Sequence, residues 1–309
     1  MKVETVKKLL AREAYRLCCR SDFAWRYLAN LTPSLMYRRM RRPLSPLQQS
    51  LLTALRRDGI VLTSIQDFFG DLRLFEELES AVWDCETKAA EELRKAQMDV
   101  GVDGGRSKDY VVSLLGALPV LDPSSIFVRF ALQPELMDIV NSYFGMLTKL
   151  RYYNVWHTFP TLADPKASQL WHRDPEDRAV LKLFVYLTDV DEEAGPLSYA
   201  PGTQARGSIK IEPESNLFKE GQTYVSRSND TQMRAILPPE CWVTAVGPKG
   251  TIVLADTRGY HKGGWARERE RVVYTCMFAS QASTSPEVFR RQGSIPLYPD
   301  QVMTFAVGR

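Results

Sequence analysis

Three histidines occur in the 309 residues, and two of them stand where they could share a metal ion. His172 is followed two positions later by Asp174, within Trp171-His172-Arg173-Asp174-Pro175. Residues two apart on a strand point to the same face, so both side chains could grip one ion. His261 lies 87 residues beyond Asp174, just past the apolar run TIVLAD. Two imidazoles and a carboxylate on one face, with the other positions open, suit a non-haem Fe(II) centre. A His-x-Asp step alone is also what a hydrogen-bonded pair at a strand end looks like, so the surroundings must decide. His157 has no motif around it and reads as structural.

Elements able to hold such a site occupy the second half of the chain. Strands are expected at residues 150–159, 180–187, 197–200, 242–246, 251–255 and 271–279. Turn residues separate them, notably Glu193-Ala194-Gly195-Pro196, Pro201-Gly202-Thr203 and Gly247-Pro248-Lys249-Gly250. Short strands with turns between them suggest a sandwich or jelly roll. The first half is helical in texture. Val3, Val6, Leu9, Leu10 and Ala14 form one stripe, which predicts a helix over the first thirty residues. A break is expected at Leu31-Thr32-Pro33-Ser34. Ser45, Pro46 and Gln48 form a capping box opening a helix that Gly59 closes, and Ile60-Val61-Leu62 follows as a strand. A long helix is expected over about 72–97, a loop over 99–109, and a helix from Gln133-Pro134-Glu135 to Gly145.

The residues around the candidate ligands resemble the phytanoyl-CoA dioxygenase family of 2-oxoglutarate oxygenases. The stretch Gln169-Leu170-Trp171-His172-Arg173-Asp174-Pro175-Glu176-Asp177 is similar to the way that family presents its first two ligands. The segment LKLFVYLTDVDEEAGPLSYAPGTQ resembles its strand, acidic turn, Gly-Pro and second strand, with Gln204 where a His is usual. The segment GTIVLADTRGYHKGG resembles the strand that delivers the distal His, although Lys249-Gly250-Thr251 lacks the common Asp after Gly.

The resemblance covers about residues 130–280 and implies a double-stranded β-helix, an α+β fold with a mainly β catalytic core flanked by N-terminal helices. It implies iron held by His172, Asp174 and His261, with 2-oxoglutarate as co-substrate, O2 as oxidant and ascorbate as a supporting reductant. An Arg about ten residues past the distal His pairs with the far carboxylate of 2-oxoglutarate in that family. Arg271 fills this position at the head of RVVYTCMFA, with Arg269 and Arg267 as alternatives. A guanidinium suits the task because it pairs a carboxylate in a two-pronged fork. Phe184 matches an aromatic that flanks the co-substrate, and Lys182 on the same strand could face it or lie along the surface. Tyr152, Asn154 and Trp156 alternate on a strand and could line a pocket or fill the core. Related halogenases replace the carboxylate ligand with a small residue. Asp174 fills that place, which implies hydroxylation, with release of succinate and CO2.

The resemblance implies a small-molecule or lipid-, CoA- or glycan-linked substrate without identifying it; no nucleic-acid partner is expected. Residues 1–57 carry 13 Lys or Arg against 3 acids, and the remainder 27 against 34. That asymmetry asks for an acidic partner, and residues 1–42 could touch an anionic membrane or pack on the acidic body of the same chain. The expected division is a basic helical extension over 1–45 and an oxygenase domain over 46–309. Five scattered cysteines without a CxxC pair read as buried free thiols. With no apolar run of membrane-spanning length, the expected location is cytoplasmic. Two other readings compete: a jelly-roll binding module that has kept a metal site, and a cupin enzyme that needs no keto acid and so no Arg271.

Overall fold

The computed structural model describes residues 14–15, 17–19, 21–100, 109–210, 227–292, 298 and 300–308. The expected stripe at Val3, Val6, Leu9 and Leu10, and most of the expected loop at 99–109, lie outside them. The strands are β1 Ile60–Ser64, β2 Val111–Ser113, β3 Val120–Leu121, β4 Lys149–Thr158, β5 Leu181–Tyr186, β6 Leu197–Tyr199, β7 Val243–Ala245, β8 Thr251–Asp256, β9 His261–Lys262, β10 Arg271–Ala279 and β11 Arg290–Arg291. Six of them form an antiparallel sheet in the order β1-β8-β5-β10-β4-β2, and three form a second sheet, β7-β6-β9. The two sheets lean on each other through a shared apolar cluster: Ile60, Phe184, Val253 and Val273 from one, Leu197, Tyr199 and Ala245 from the other. This is a jelly roll whose sheets remain separate in hydrogen bonding and are joined by isolated bridges such as His172↔His261 and Val190↔Gly247.

Alternation along the six-stranded sheet divides it into two faces. Leu181, Leu183 and Val185, Ile252 and Leu254, and Val272, Tyr274, Cys276 and Phe278 all join one large core under the helices. Phe75, Leu78 and Val82 of the Arg73–Lys88 helix and most of the Pro134–Phe144 helix complete it. The opposite face turns Lys182, Phe184, Arg271, Thr275, Asn154 and Trp156 toward the second sheet.

The helix over Pro46–Asp58 ends as its sequence prescribes. Ser45 Oγ accepts from Gln48 N at 3.2 Å, Ser45 N donates to Gln48 Oε1 at 2.8 Å, and Gly59 stops the helix at φ +83°. A Cβ at Gly59 would lie 2.2 Å from Tyr199 Oη, so both its conformation and its lack of a side chain are required.

Elsewhere the chain departs from expectation. The break expected at 31–34 is a helix, Leu31–Met40. Pro33 sits in its first turn, where a backbone N–H has no intrahelical partner to lose. The interruption comes earlier, in a π-helical turn at Trp25–Ala29, so the first thirty residues are not one helix. The long helix expected over 72–97 is two, Arg73–Lys88 and Ala90–Asp99. Beyond Val82 the inward stripe continues as Glu86 rather than an apolar residue, and the second helix buries nothing. Among the five cysteines, which are all free, Cys276 alone is buried. Leu17, three residues beyond Ala14 of the N-terminal stripe, is exposed. Among the described residues no helix is long and apolar enough to cross a membrane.

Candidate active site

His172 and His261 meet across one antiparallel bridge. Each backbone N–H donates to the other's carbonyl, at 2.9 and 3.0 Å, and the ring centroids lie 4.3 Å apart. His172 Nδ1 lies 2.8 Å from the Leu170 carbonyl, and His261 Nδ1 lies 3.1 Å from that of Gly259. A carbonyl can only accept, so each Nδ1 carries the hydrogen and each Nε2 keeps a lone pair. Those two nitrogens face one carboxylate. His172 Nε2 is 3.9 Å from Asp174 Oδ1, and His261 Nε2 is 3.8 Å from Oδ2. One ligand atom from each of the three residues falls within 4.8 Å of the others, and all three side chains are buried.

The electrostatics favour ligation. Burial, reinforced by the neighbouring imidazole, pushes His172 down to about 2, and burial pushes His261 down as well. Both rings are therefore neutral over the ordinary pH range, the form a metal requires. Burial alone would raise Asp174. The Lys182 ammonium, 2.6 Å from Oδ2, more than reverses this, so the carboxylate is ionised. Neutral Nε2 donors beside an ionised carboxylate are a donor set that fits Fe(II).

The backbone around these side chains is fixed on every side. Asp174 N donates to Thr257 O at 2.8 Å, and Arg258 Nη1 donates to Asp174 O at 2.8 Å. Asp256, buried, accepts from Val180 N, Arg258 N and Tyr143 Oη, which pins the turn leading to His261. Residues alternating with the ligands point outward and stack into a backing. Trp171 packs against Trp242 at 4.8 Å, and Lys262 lies over both rings. Trp171 Nε1 and Lys262 Nζ both donate to Asp230 Oδ1, each at 2.7 Å. Arg173 covers Tyr260 at 4.1 Å. Asp177 accepts from Tyr15 Oη, from Trp25 Nε1 at 2.9 Å and from Ser280 N at 2.7 Å, tying the N-terminal helices to the loop just past the ligands.

The remaining sequence candidates are distributed as follows. Arg271 is buried at the head of β10 on the inner face, where Nη1 donates to Gly195 O and Nε finds no partner. Arg267 and Arg269 instead form exposed ion pairs with Glu193 and Asp191. Phe184 sits beside Trp156, their centroids 6.4 Å apart, and Lys182 occupies the neighbouring inward position of the same strand. Asn154 is committed to Gly116 O and Leu115 N, a structural tether. Gln204 donates to Arg56 O and Arg57 O, away from the ligands. His157 is held between Glu86 and Glu270, apart from the cluster.

Two residues near the site escaped sequence reading. Arg227 is within electrostatic reach of His172, His261 and Asp174 and is held by Ala167 O, and Glu176 is mostly buried with Oε2 unpartnered. Glu176 lay inside the ligand motif, where its neighbours drew the attention; nothing in its local sequence marked Arg227.

Comparison with known proteins gives a family and a set of solved structures. The family described as phytanoyl-CoA dioxygenase (PhyH) matches residues 56–267. No curated protein matches the chain. Among solved structures, EvdMO1 is 17% identical over 76% of this chain and 50% of its own, with a TM-score of 0.50. EctD from S. alaskensis with bound Fe is 16% identical over 81% of this chain and 88% of its own, at 0.48. HygX from Streptomyces hygroscopicus with nickel and 2-oxoglutarate is 14% identical over 79% and 90%, at 0.46.

Proposed function

The chain belongs to the phytanoyl-CoA dioxygenase family of 2-oxoglutarate-dependent non-haem iron oxygenases, and from that premise we propose that it hydroxylates a small-molecule or lipid-, CoA- or glycan-linked substrate at a centre held by His172, Asp174 and His261. The observation that carries this reading is the pair of Nδ1–carbonyl bonds, which leave two neutral Nε2 lone pairs facing one ionised carboxylate on a single inner face. Bound there, Fe(II) with 2-oxoglutarate and O2 supplies oxidative decarboxylation to succinate and CO2 and the oxidation of a substrate C–H bond, with ascorbate as supporting reductant.

The protein's own groups hold and orient the reactants. Arg271, buried with an unpaired Nε, is the group to take the far carboxylate of the keto acid. Phe184, on the inner face beside Trp156, is the aromatic assigned to flank the co-substrate. Lys182 balances the negative charge gathered by Asp174 and the co-substrate. The Trp171/Trp242/Lys262 backing keeps water off the outward side of the ligand strands. We assign residues 46–309 to the oxygenase domain and residues 1–45 to a basic N-terminal extension, of which Trp25, Met36 and Met40 pack on the domain. A reducing, cytoplasmic setting suits the free cysteines.

The test is anaerobic titration with Fe(II) and 2-oxoglutarate, followed by the weak visible charge-transfer band of the ternary complex. Wild type shows the band and His172→Ala does not. A His172→Ala protein that binds iron and keto acid like wild type overturns the ligand assignment. A wild type that binds iron but shows no response to 2-oxoglutarate transfers the reading to a cupin enzyme independent of the keto acid.

A further inference from the structure

The helix over Leu31–Met40 is apolar on two sides. Its inward side packs Met36, Tyr37 and Met40 on the core and, with its cap Asn30, is also tied to the body by hydrogen bonds. Ala282 N donates to Asn30 Oδ1 at 2.9 Å, Leu147 N donates to Pro33 O at 3.1 Å, and Tyr37 Oη donates to Ser142 Oγ at 3.1 Å. Its outward side presents Leu31 and Leu35, 46% and 44% exposed, and the π-helical turn before it adds Leu28, 68% exposed. A helix that served only to pack would keep its outward side polar.

The exposure is concentrated. Of the eleven large hydrophobics exposed among the described residues, five (Leu17, Phe23, Leu28, Leu31 and Leu35) fall within residues 17–35. The leucine stripe then runs into Arg38 and Arg39 on the same side, with Arg41 just beyond, all exposed. No Asp or Glu occurs between residues 23 and 57, against seven Arg. The nearest acid, Asp22, is already engaged by Arg26, Arg178 and Arg206.

We propose that this face, Phe23 to Arg41, docks on an anionic lipid bilayer, its leucines entering the interface and its arginines meeting the headgroups. Protruding apolar side chains beside cations of one sign are the chemistry of interfacial helices. A second copy of the chain would set the exposed Arg38, Arg39 and Arg41 against the same three, and a nucleic acid would leave the leucines unused. The inference does not depend on the iron chemistry.

Full-length protein sedimented with vesicles of phosphatidylcholine plus phosphatidylserine tests it, with phosphatidylcholine vesicles as the control. Wild type is expected to bind the anionic vesicles at low salt and to be released as salt rises. Arg38→Gln/Arg39→Gln/Arg41→Gln is expected to weaken partitioning roughly a hundredfold. Leu28→Ser/Leu31→Ser/Leu35→Ser is expected to lose binding while keeping the wild-type thermal midpoint, since exposed positions contribute little to stability. Wild type remaining in the supernatant at low salt overturns the proposal. So does a leucine variant that binds as well as wild type. A concentration-dependent dimer abolished by the leucine changes, or an acidic protein that competes the vesicles off, would reassign the face to a protein partner and overturn it as well.

Discussion

The two faces of the six-stranded sheet are built from the same strands by alternate residues, yet they obey different rules. On the face under the helices, Leu183, Leu254, Val272 and Phe278 pack into one core, and the polar atoms there are satisfied: Tyr274 Oη donates to Phe127 O and Tyr153 Oη to Val120 O. The face toward the second sheet keeps buried polar atoms without partners, among them Arg271 Nε and Thr275 Oγ1. A buried unpaired donor or acceptor costs about 1–3 kcal/mol, and a protein keeps such groups where a ligand will complete them. One face provides stability; the other holds chemistry that the fold does not need.

This contrast can be broken by exchanging outcomes between the site, which the second sheet completes with His261 of β9, and the core face. The largest separation is expected between His261→Ala and Leu254→Ala. The first abolishes the ternary complex with iron and 2-oxoglutarate and leaves the melting transition nearly in place. The second costs about 2–5 kcal/mol of stability by opening a cavity, yet still forms the complex at low temperature. A His261→Ala protein that melts much earlier while binding normally would invert the assignment. Next in size is Arg271→Ala, expected to weaken 2-oxoglutarate roughly ten- to hundredfold with iron affinity unchanged. Equal affinities by calorimetry would move the role to Arg269 or Arg267.

A smaller effect concerns the titratable histidine on the core-facing side. His157 is close to Glu86 through Nδ1 at 2.6 Å and to Glu270 through Nε2 at 2.8 Å. Serving two carboxylates takes two ring hydrogens, which is the imidazolium. Burial alone would lower its pKa, and the bonds to Glu86 and Glu270 raise it above the ordinary value instead. A group raised on folding adds stability that is complete below its unfolded pKa, about 6.5, and disappears as pH climbs through the folded value. Unfolding free energy should fall across that window in wild type and stay flatter in His157→Gln; parallel curves would deny the clamp. The smallest effect is at Thr275→Val, which trades an unpartnered hydroxyl for a methyl of the same shape. It should be neutral or stabilising by up to about 1 kcal/mol, and a clear drop in melting temperature would show that the hydroxyl is satisfied after all.

Much of this was legible in the sequence, for identifiable reasons. The helix over Pro46–Asp58 announced both ends because caps are local chemistry, and β10 was bounded to the residue because an unbroken apolar run follows Arg271. The juxtaposition of His172 with His261 was expected from resemblance, but the carbonyls that fix their tautomers come from the backbone and carry no sequence signature. Periodicity says which residues share a side, not which way that side faces; the N-terminal stripe left packing and membrane contact both open, and Leu17 just beyond it is exposed. Long-range partners are invisible for the same reason. Nothing near Asp177 indicates that it will receive Tyr15 and Trp25, and Glu86, an inward charge on an apolar stripe, ended a helix expected to continue.

The order of the main sheet has a consequence for how the chain comes to be folded. Both neighbours of β5 are strands that follow it, β8 and β10, and β1 must wait for β8, Ile60 pairing with Ala255. As the polypeptide leaves the ribosome, β2 and β4 are the only strands of this sheet that can pair before residue 251, while the apolar β5 stays bare along both edges. Non-local pairing of this kind slows folding, and unpaired apolar strands associate with their like. Recovery from denaturant should therefore be slow and should worsen with protein concentration, because the strand that carries Lys182 and Phe184 is completed only by the last third of the chain.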